Sequence, residues 1–244
     1  MVEILQKSIP DEMRQARALP GIQPLQAPWL RVDEAYEAQM AHRRALIAAQ
    51  RDDVYWQDPE AEAVSAEVLA EALEALPELG FHIDGRHCRC PDGVVVDLES
   101  DVPLVVLGQL VQEDICLMDK RGAEHVLVAA NLCFPARWLL SEKAGRPLIH
   151  IHGAVENYDD ALARRVQRLF DGVQVGRPLW RSNGLPFHDP ELFQPRSVLD
   201  PPQNREDGIS APYHRAERQC IVRMPRSGTV VFSIHTYVVR SGCP

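Results

Sequence analysis

Residues 214–240 read HRAERQCIVRMPRSGTVVFSIHTYVVR. Two runs rich in β-branched and aromatic residues flank Pro225-Arg226-Ser227-Gly228, a pattern that predicts a β-hairpin in an antiparallel sheet. In the first run the two-residue period of a strand puts Arg215, Glu217 and Gln219 on one face, and Arg218, Cys220 and Val222 on the other. One face is therefore polar at three consecutive positions. Two readings fit it: a solvated surface strand, or a strand whose charges line a ligand pocket, where a dry site strengthens every field.

Similar β-rich runs lie upstream, in PDGVVVDLES (91–100), PLVVLGQLVQEDICLMD (103–119) and AEHVLVAANLCFP (123–135), with turns at Asp92-Gly93 and Lys120-Arg121-Gly122. Helical periodicity marks DEAYEAQMAHRRALIAAQ (33–50), which has Asp33 as its start signal, and EAEAVSAEVLAEALEAL (60–76), which Pro77 stops. Most of the glutamates of the second helix read as a solvated face. YDDALARRVQRLFD (158–171) is again helical, with Asp159 and Asp160 near its positive end. Residues 176–213, dense in Pro, Asn, Asp and Gly, read as a long surface or active-site loop. Strands that return by hairpins, instead of alternating strictly with helices, indicate an α+β fold and not a doubly wound one. Residues 1–80 form an N-terminal helical extension and residues 81–244 the sheet domain, in one structural unit.

The 244 residues are 45% hydrophobic and 25% charged, with a formal net charge of −9. That composition suits a packed globular protein, and its acidic balance speaks against a nucleic-acid partner. The N-terminus lacks a basic region followed by an unbroken apolar one, and no later run approaches the length of a membrane span, so a cytoplasmic protein is expected. Six cysteines at irregular spacing (88, 90, 116, 133, 220 and 243) read as reduced core thiols.

No Gly-rich phosphate loop and no GxSxG elbow occurs. HCRC (87–90), near His82, has zinc-ligand residue types at poor spacing. Cys133 reads as a small core residue, not a nucleophile. In KAGRPLIHIHGAV (143–155), His150 and His152 share a face if the stretch is extended and diverge by about 200° if it is helical. Phe134, Trp138, Leu139, Leu140 and Leu148 surround them with bulky apolar surface, and Lys143 and Arg146 add cations. An apolar slot with one imidazole and nearby cations is what a haem requires.

Taken in order, QEDICLM (112–118), CFPARW (133–138), KAGRPLIHIHGAV (143–155), RSN (181–183) and RAERQCIVRMPRSGTVVFSIHTY (215–237) resemble the haem-dependent oxidative N-demethylase family, from about Trp29 to Tyr237. The resemblance implies a PAS-like antiparallel sheet cupping a b-type haem, with helical extensions. It implies an oxygenase that removes a methyl group from a small secondary amine as formaldehyde, using O2. Electrons would come from NADPH through a separate reductase subunit carrying FMN and a 2Fe-2S cluster. It assigns His152 to the iron, with His150 in reserve, and Phe134, Trp138 and Lys143 to the cofactor's surroundings. Arg215, Glu217 and Gln219, with Arg181 and Asn183, fall on the oxygen and amine side. The chain departs from the family pattern at Gly153-Ala154, where prolines are usual, and at Gly184, where an aromatic is usual. It also ends at Pro244, where relatives of the family continue. Alternatives to an oxygenase are a non-enzymatic haem-binding gas or redox sensor on the same fold, and a family member that no longer binds haem.

Overall fold

A computed structural model describes residues 3–14, 21–151, 160–200 and 211–242. Ten strands and seven α-helices are assigned among them. The strands are β1 (Gln23–Pro24), β2 (Tyr55–Gln57), β3 (His82–Asp84), β4 (His87–Arg89), β5 (Val95–Asp97), β6 (Asp114–Arg121), β7 (Glu124–Asn131), β8 (Leu179–Phe187), β9 (Tyr213–Arg223) and β10 (Val230–Arg240). The helices are α1 (Tyr36–Ala49), α2 (Arg51–Val54), α3 (Glu62–Ala75), α4 (Pro103–Gly108), α5 (Leu140–Lys143), α6 (Leu148–Ile151) and α7 (Asp160–Gly172).

The architecture is α+β. Seven strands form an antiparallel sheet in the order β1-β8-β9-β10-β6-β7-β2, and β3-β4-β5 form a small second sheet. The hairpin read from residues 214–240 is its centre: β9 and β10 pair over their full lengths, from Tyr213↔Arg240 to Arg223↔Val230. Glu67 secures the turn between them, its carboxylate accepting from the backbone N–H groups of Arg226 and Ser227 at 2.6 and 3.0 Å. Glu67 is thus a correction to the solvated-face reading of its helix; it is buried because it satisfies two turn donors.

Alternation along each strand divides the core in two. Ile115, Leu117 and Val231 face a layer that includes Met40, Val68, Leu104 and Leu107 of α1, α3 and α4. Cys116, Met118, Ile221 and Val230 face the opposite way, toward Leu140, Leu148 and Phe170 of α5, α6 and α7.

Two further expectations fail. PLVVLG, read as β-rich, is α4: Pro103 stands at its first turn, and Leu104 to Leu107 are buried on all sides. A short apolar run bears no period that separates a buried strand from a buried helix. Gly108 ends α4 against Asn131, whose side-chain atoms would lie 2.5–2.6 Å from any Cβ placed there. The expected loop of 176–213 contains the nine-residue strand β8. Its Pro186 and Gly184 are tolerated because β1 pairs only with Leu179 and Trp180, leaving the outer edge free where the proline sits. A Cβ at Gly184 would approach the His214 Nε2 to 2.5 Å, so this chain has an imidazole beside the position that lacks a side chain.

The QED triplet, Gln112-Glu113-Asp114, is a buried hub behind the sheet. Asp114 accepts from Arg43 Nη1 at 2.6 Å and from the N–H groups of Cys133 and Phe134 at 2.7 and 3.0 Å. The Arg43 guanidinium also donates to the carbonyl of Glu113 and to Asn131 Oδ1. His235, fully buried on β10, lies between Glu113 (2.9 Å) and Asp33 (3.1 Å). Burial opposes its charge, but the Glu113 carboxylate, assisted by Asp33, outweighs that and holds the imidazole up at about 9. Asp33 goes the other way: burial would raise it, but the His235 hydrogen bond and charge, with Gln112 and Gln6 donating, bring it to about 2. Cys88, Cys90, Cys116, Cys133 and Cys220 are buried free thiols; Cys243 lies outside the described residues.

Candidate functional site

The polar face of β9 is largely sheltered, with Arg215 and Gln219 buried and Glu217 half-buried. Arg215, Glu217 and Gln219 line a cavity of about 530 Å3 on the face of the sheet that α6 and α7 cover. β8 completes that wall, because antiparallel register puts Leu185 opposite Arg215, Asn183 opposite Glu217 and Arg181 opposite Gln219. This face of the strand therefore lines a cavity and not an open surface.

Farther along the same face the lining turns apolar: Ile221 on β9, Phe232 and Ile234 on β10, Cys116 and Met118 on β6, Leu127 on β7. Leu148 and Ile151 of α6, with Val166, Leu169 and Phe170 of α7, form the opposite wall. Leu185 and Val198 are 48% and 53% exposed, which places them at the mouth. The Val198 turn is secured by Glu142, which accepts from the Ser197 hydroxyl at 2.6 Å and from the Val198 N–H.

Each charge in the cavity has its own setting. Arg215 is buried and donates to the carbonyls of Phe134 (2.6 Å) and Leu192 (3.0 Å), while its guanidinium lies over the Phe187 ring at 5.7 Å. Burial lowers its pKa, with Glu217 opposing. Gln219 Nε2 donates to Glu217 Oε2 at 2.8 Å and so fixes the carboxylate's direction. Arg181 is also depressed by burial, again with Glu217 opposing. The Nε atoms of Arg181 and Arg215 are buried with no hydrogen-bond partner among the described residues.

Of the other residues expected at the site, Trp138 and Lys143 line the cavity, and burial lowers the Lys143 pKa. Its Nζ donates to the Ile151 carbonyl at 2.8 Å. Phe134 is not at the wall. It is buried behind Arg215, stacked on His42 with ring centroids 5.8 Å apart, and contributes only its backbone oxygen. His150 is exposed on the short helix α6, outside the lining; Ile151, the next residue, is inside it. His152 lies outside the described residues, as do Gly153 and Ala154. HCRC does not converge, since His87 is exposed and Cys88 buried on adjacent positions of β4. Cys133 is buried, its N–H held by Asp114 and its thiol pushed up to about 12 by burial.

Arg137 was not singled out from the sequence. It lines the cavity with φ +66°, a left-handed conformation rare for a residue with a side chain. Its N–H donates to the Gln194 carbonyl at 3.0 Å, and its guanidinium stands 4.3 Å from the centroid of Phe187. Strained backbone of this kind clusters at active sites and ligand clamps, which makes Arg137 a candidate beside the residues expected from the sequence. Nothing in the run CFPARW spells a positive φ.

Among the described residues no helix is long and apolar enough to cross a membrane. The model of the haem-dependent oxidative N-demethylase, alpha subunit-like family matches residues 21–241, which include every strand of both sheets and every residue of this cavity. With nearly the whole chain covered in that way, the protein belongs to the haem-dependent oxidative N-demethylase, alpha subunit-like family.

Proposed function

We propose that the cavity holds a b-type haem and that the protein catalyses oxidative N-demethylation of a small amine, releasing formaldehyde. Haem dependence follows from the family; the observation that carries the assignment to this cavity is its division into an apolar slot and a cationic wall. About 530 Å3 lies within the range of roughly 300–1,000 Å3 typical of cofactor pockets. Met118, Leu127, Ile221, Phe232 and Phe170 suit a macrocycle's faces, and Arg137 and Lys143 suit its propionates. The buried Arg215 Nε, without a partner among the described residues, also suits a site completed by a ligand. His152 is the proposed iron ligand. It follows Ile151, which lines the cavity, whereas His150 is exposed.

The fold reading is a PAS-like cup. Its support is the central antiparallel strand order β8-β9-β10-β6-β7, with α5, α6 and α7 inserted between β7 and β8 in sequence and packed on one face of the sheet.

Haem bound here would supply O2 activation at the methyl group. In the overall balance one oxygen atom enters a methyl C–H bond, and two electrons and two protons reduce the other to water. The C–N bond of the hydroxymethylated amine then breaks to give formaldehyde and the demethylated amine. The protein's part is positioning. Glu217, aimed by Gln219, accepts a hydrogen bond from the amine N–H; Arg215, anchored on two carbonyls, keeps the polar wall rigid, and Asn183 stands opposite Glu217 in the lining. Electrons would come from NADPH through a partner reductase with FMN and a 2Fe-2S cluster, and the alpha subunit-like family description implies a partner.

The test is formaldehyde formation from small N-methylated amines, dimethylamine and N,N-dimethylglycine, by haem-loaded protein with NADPH and a flavin/iron-sulfur reductase. Turnover of either amine that depends on NADPH and the reductase supports the proposal. Spectral binding of O2 or CO without turnover points to a haem-based sensor instead, and a flat visible spectrum after haem loading rejects both.

A further inference from the structure

The polar wall carries a charge pattern that a plain alkylammonium substrate leaves incomplete. Among the described lining residues Arg137, Lys143, Arg181 and Arg215 are cationic, and Glu217 is the carboxylate. Lys143 and Arg215 already donate to backbone carbonyls. Arg181 is in a different position: its buried Nε has no hydrogen-bond partner among the described residues. Glu217 attracts it across the cavity face without an ion-pair contact among the described residues. Since Arg181 is opposite Gln219 and Glu217 opposite Asn183, the two charges are diagonal neighbours on one face. Their Cα atoms should be about 7–8 Å apart, as diagonal pairs are. The spacing suits a small molecule bearing an ammonium and a carboxylate a few bonds apart.

We propose that the amine demethylated here carries an anionic group of its own, as an N-methylated amino acid does, with its carboxylate on Arg181 and its ammonium on Glu217. The proposal rests on the N-demethylase reading above. A dialkylammonium ion would add a positive charge to a cationic pocket and leave the buried Nε of the half-buried Arg181 without a partner among the described residues. A zwitterion adds no net charge and occupies both groups, and the plain amine, lacking the carboxylate, is discriminated against because it leaves that Nε unpaired.

The experiment is calorimetric and Soret-perturbation titration of the haem-loaded full chain with N,N-dimethylglycine and with dimethylamine. Binding of N,N-dimethylglycine at least about tenfold tighter is expected. Arg181→Gln should bring the two probes to within about twofold of each other, and Arg181→Lys should retain part of the preference. Equal or tighter binding of dimethylamine to wild type would overturn the proposal. So would an Arg181→Gln variant that weakens both probes alike, or one that loses the Soret band, since Arg181 would then serve the haem. If wild type shows no Soret band, the haem reading itself fails. Calorimetry on the haem-free chain then decides separately: the same preference supports the Arg181–Glu217 pair, and equal or absent binding overturns it. Should Arg181→Gln fail to fold, the wild-type preference and the Arg181→Lys variant carry the decision.

Discussion

Lys143 Nζ donates to the carbonyl oxygen of Ile151 at 2.8 Å, so a side chain that lines the cavity also holds the end of α6, one residue before His152. A cation at a helix C-terminus also complements the helix dipole, although α6 is only one turn long. Under the proposed function Lys143 would position the ligand as well as serve the cofactor. Lys143→Met preserves the stem and removes the donor. A hydrogen bond from a charged group contributes about 1.5–3 kcal/mol, so haem affinity should fall roughly 10- to 100-fold. Haem titration followed at the Soret band measures this; unchanged affinity would remove Lys143 from that role.

Breaking the buried Arg43–Asp114 pair should cost much more stability than removing any surface pair. Both side chains are buried, and Asp114 also holds two backbone N–H groups. Asp114→Ala leaves the Arg43 guanidinium without its counterion, at a cost of about 3–5 kcal/mol. Arg86→Ala, which breaks an exposed pair with Asp97, should cost at most about 1 kcal/mol. Urea unfolding of the two variants compares them; similar midpoints would contradict the hub.

His235 makes stability pH-dependent from the alkaline side. Its folded pKa, about 9, is above its ordinary value of 6.5, so its contribution is complete below about pH 6.5 and is lost as pH rises through 9. Asp33, held at about 2 against an ordinary 3.8, contributes fully above about pH 4 and loses that contribution as pH falls toward 2. His235→Gln should flatten the alkaline limb of the stability curve and also weaken the acid limb, because the His235 hydrogen bond and charge are what chiefly depress Asp33. An unaltered alkaline limb would show that the imidazole is not charged in the folded state.

At Gly108 a single methyl group should be destabilising without touching any charge. The new Cβ would meet the fully buried Asn131 side chain at 2.5–2.6 Å, and Asn131 Oδ1 is itself engaged by Arg43. Gly108→Ala should cost about 1–3 kcal/mol through overpacking. The comparison in thermal unfolding is Gly122→Ala, where nothing lies within 4 Å but φ is +65°, so only backbone strain is tested.

What the sequence revealed depended on periodicity. The β9–β10 hairpin and the shared face of Arg215, Glu217 and Gln219 were legible because a two-residue alternation assigns faces without knowledge of partners. Whether that face was wet or lined a pocket was not legible, since burial is decided by α6, α7 and β8. α4 was misread because an all-apolar run carries no period. β8 was misread because Gly184 and Pro186 are loop signals except on a partly free edge. Arg137 escaped because its importance lies in a backbone angle, and Phe134 was misplaced because an aromatic beside a site can act through its carbonyl alone.

The central claim, that haem occupies this cavity with His152 on the iron, is tested most directly by the Soret spectrum of haem-loaded wild type beside His152→Ala and His150→Ala. The account predicts a Soret band in wild type and in His150→Ala, and its loss or a marked shift in His152→Ala. A band lost only in His150→Ala, or absent from wild type, would contradict it.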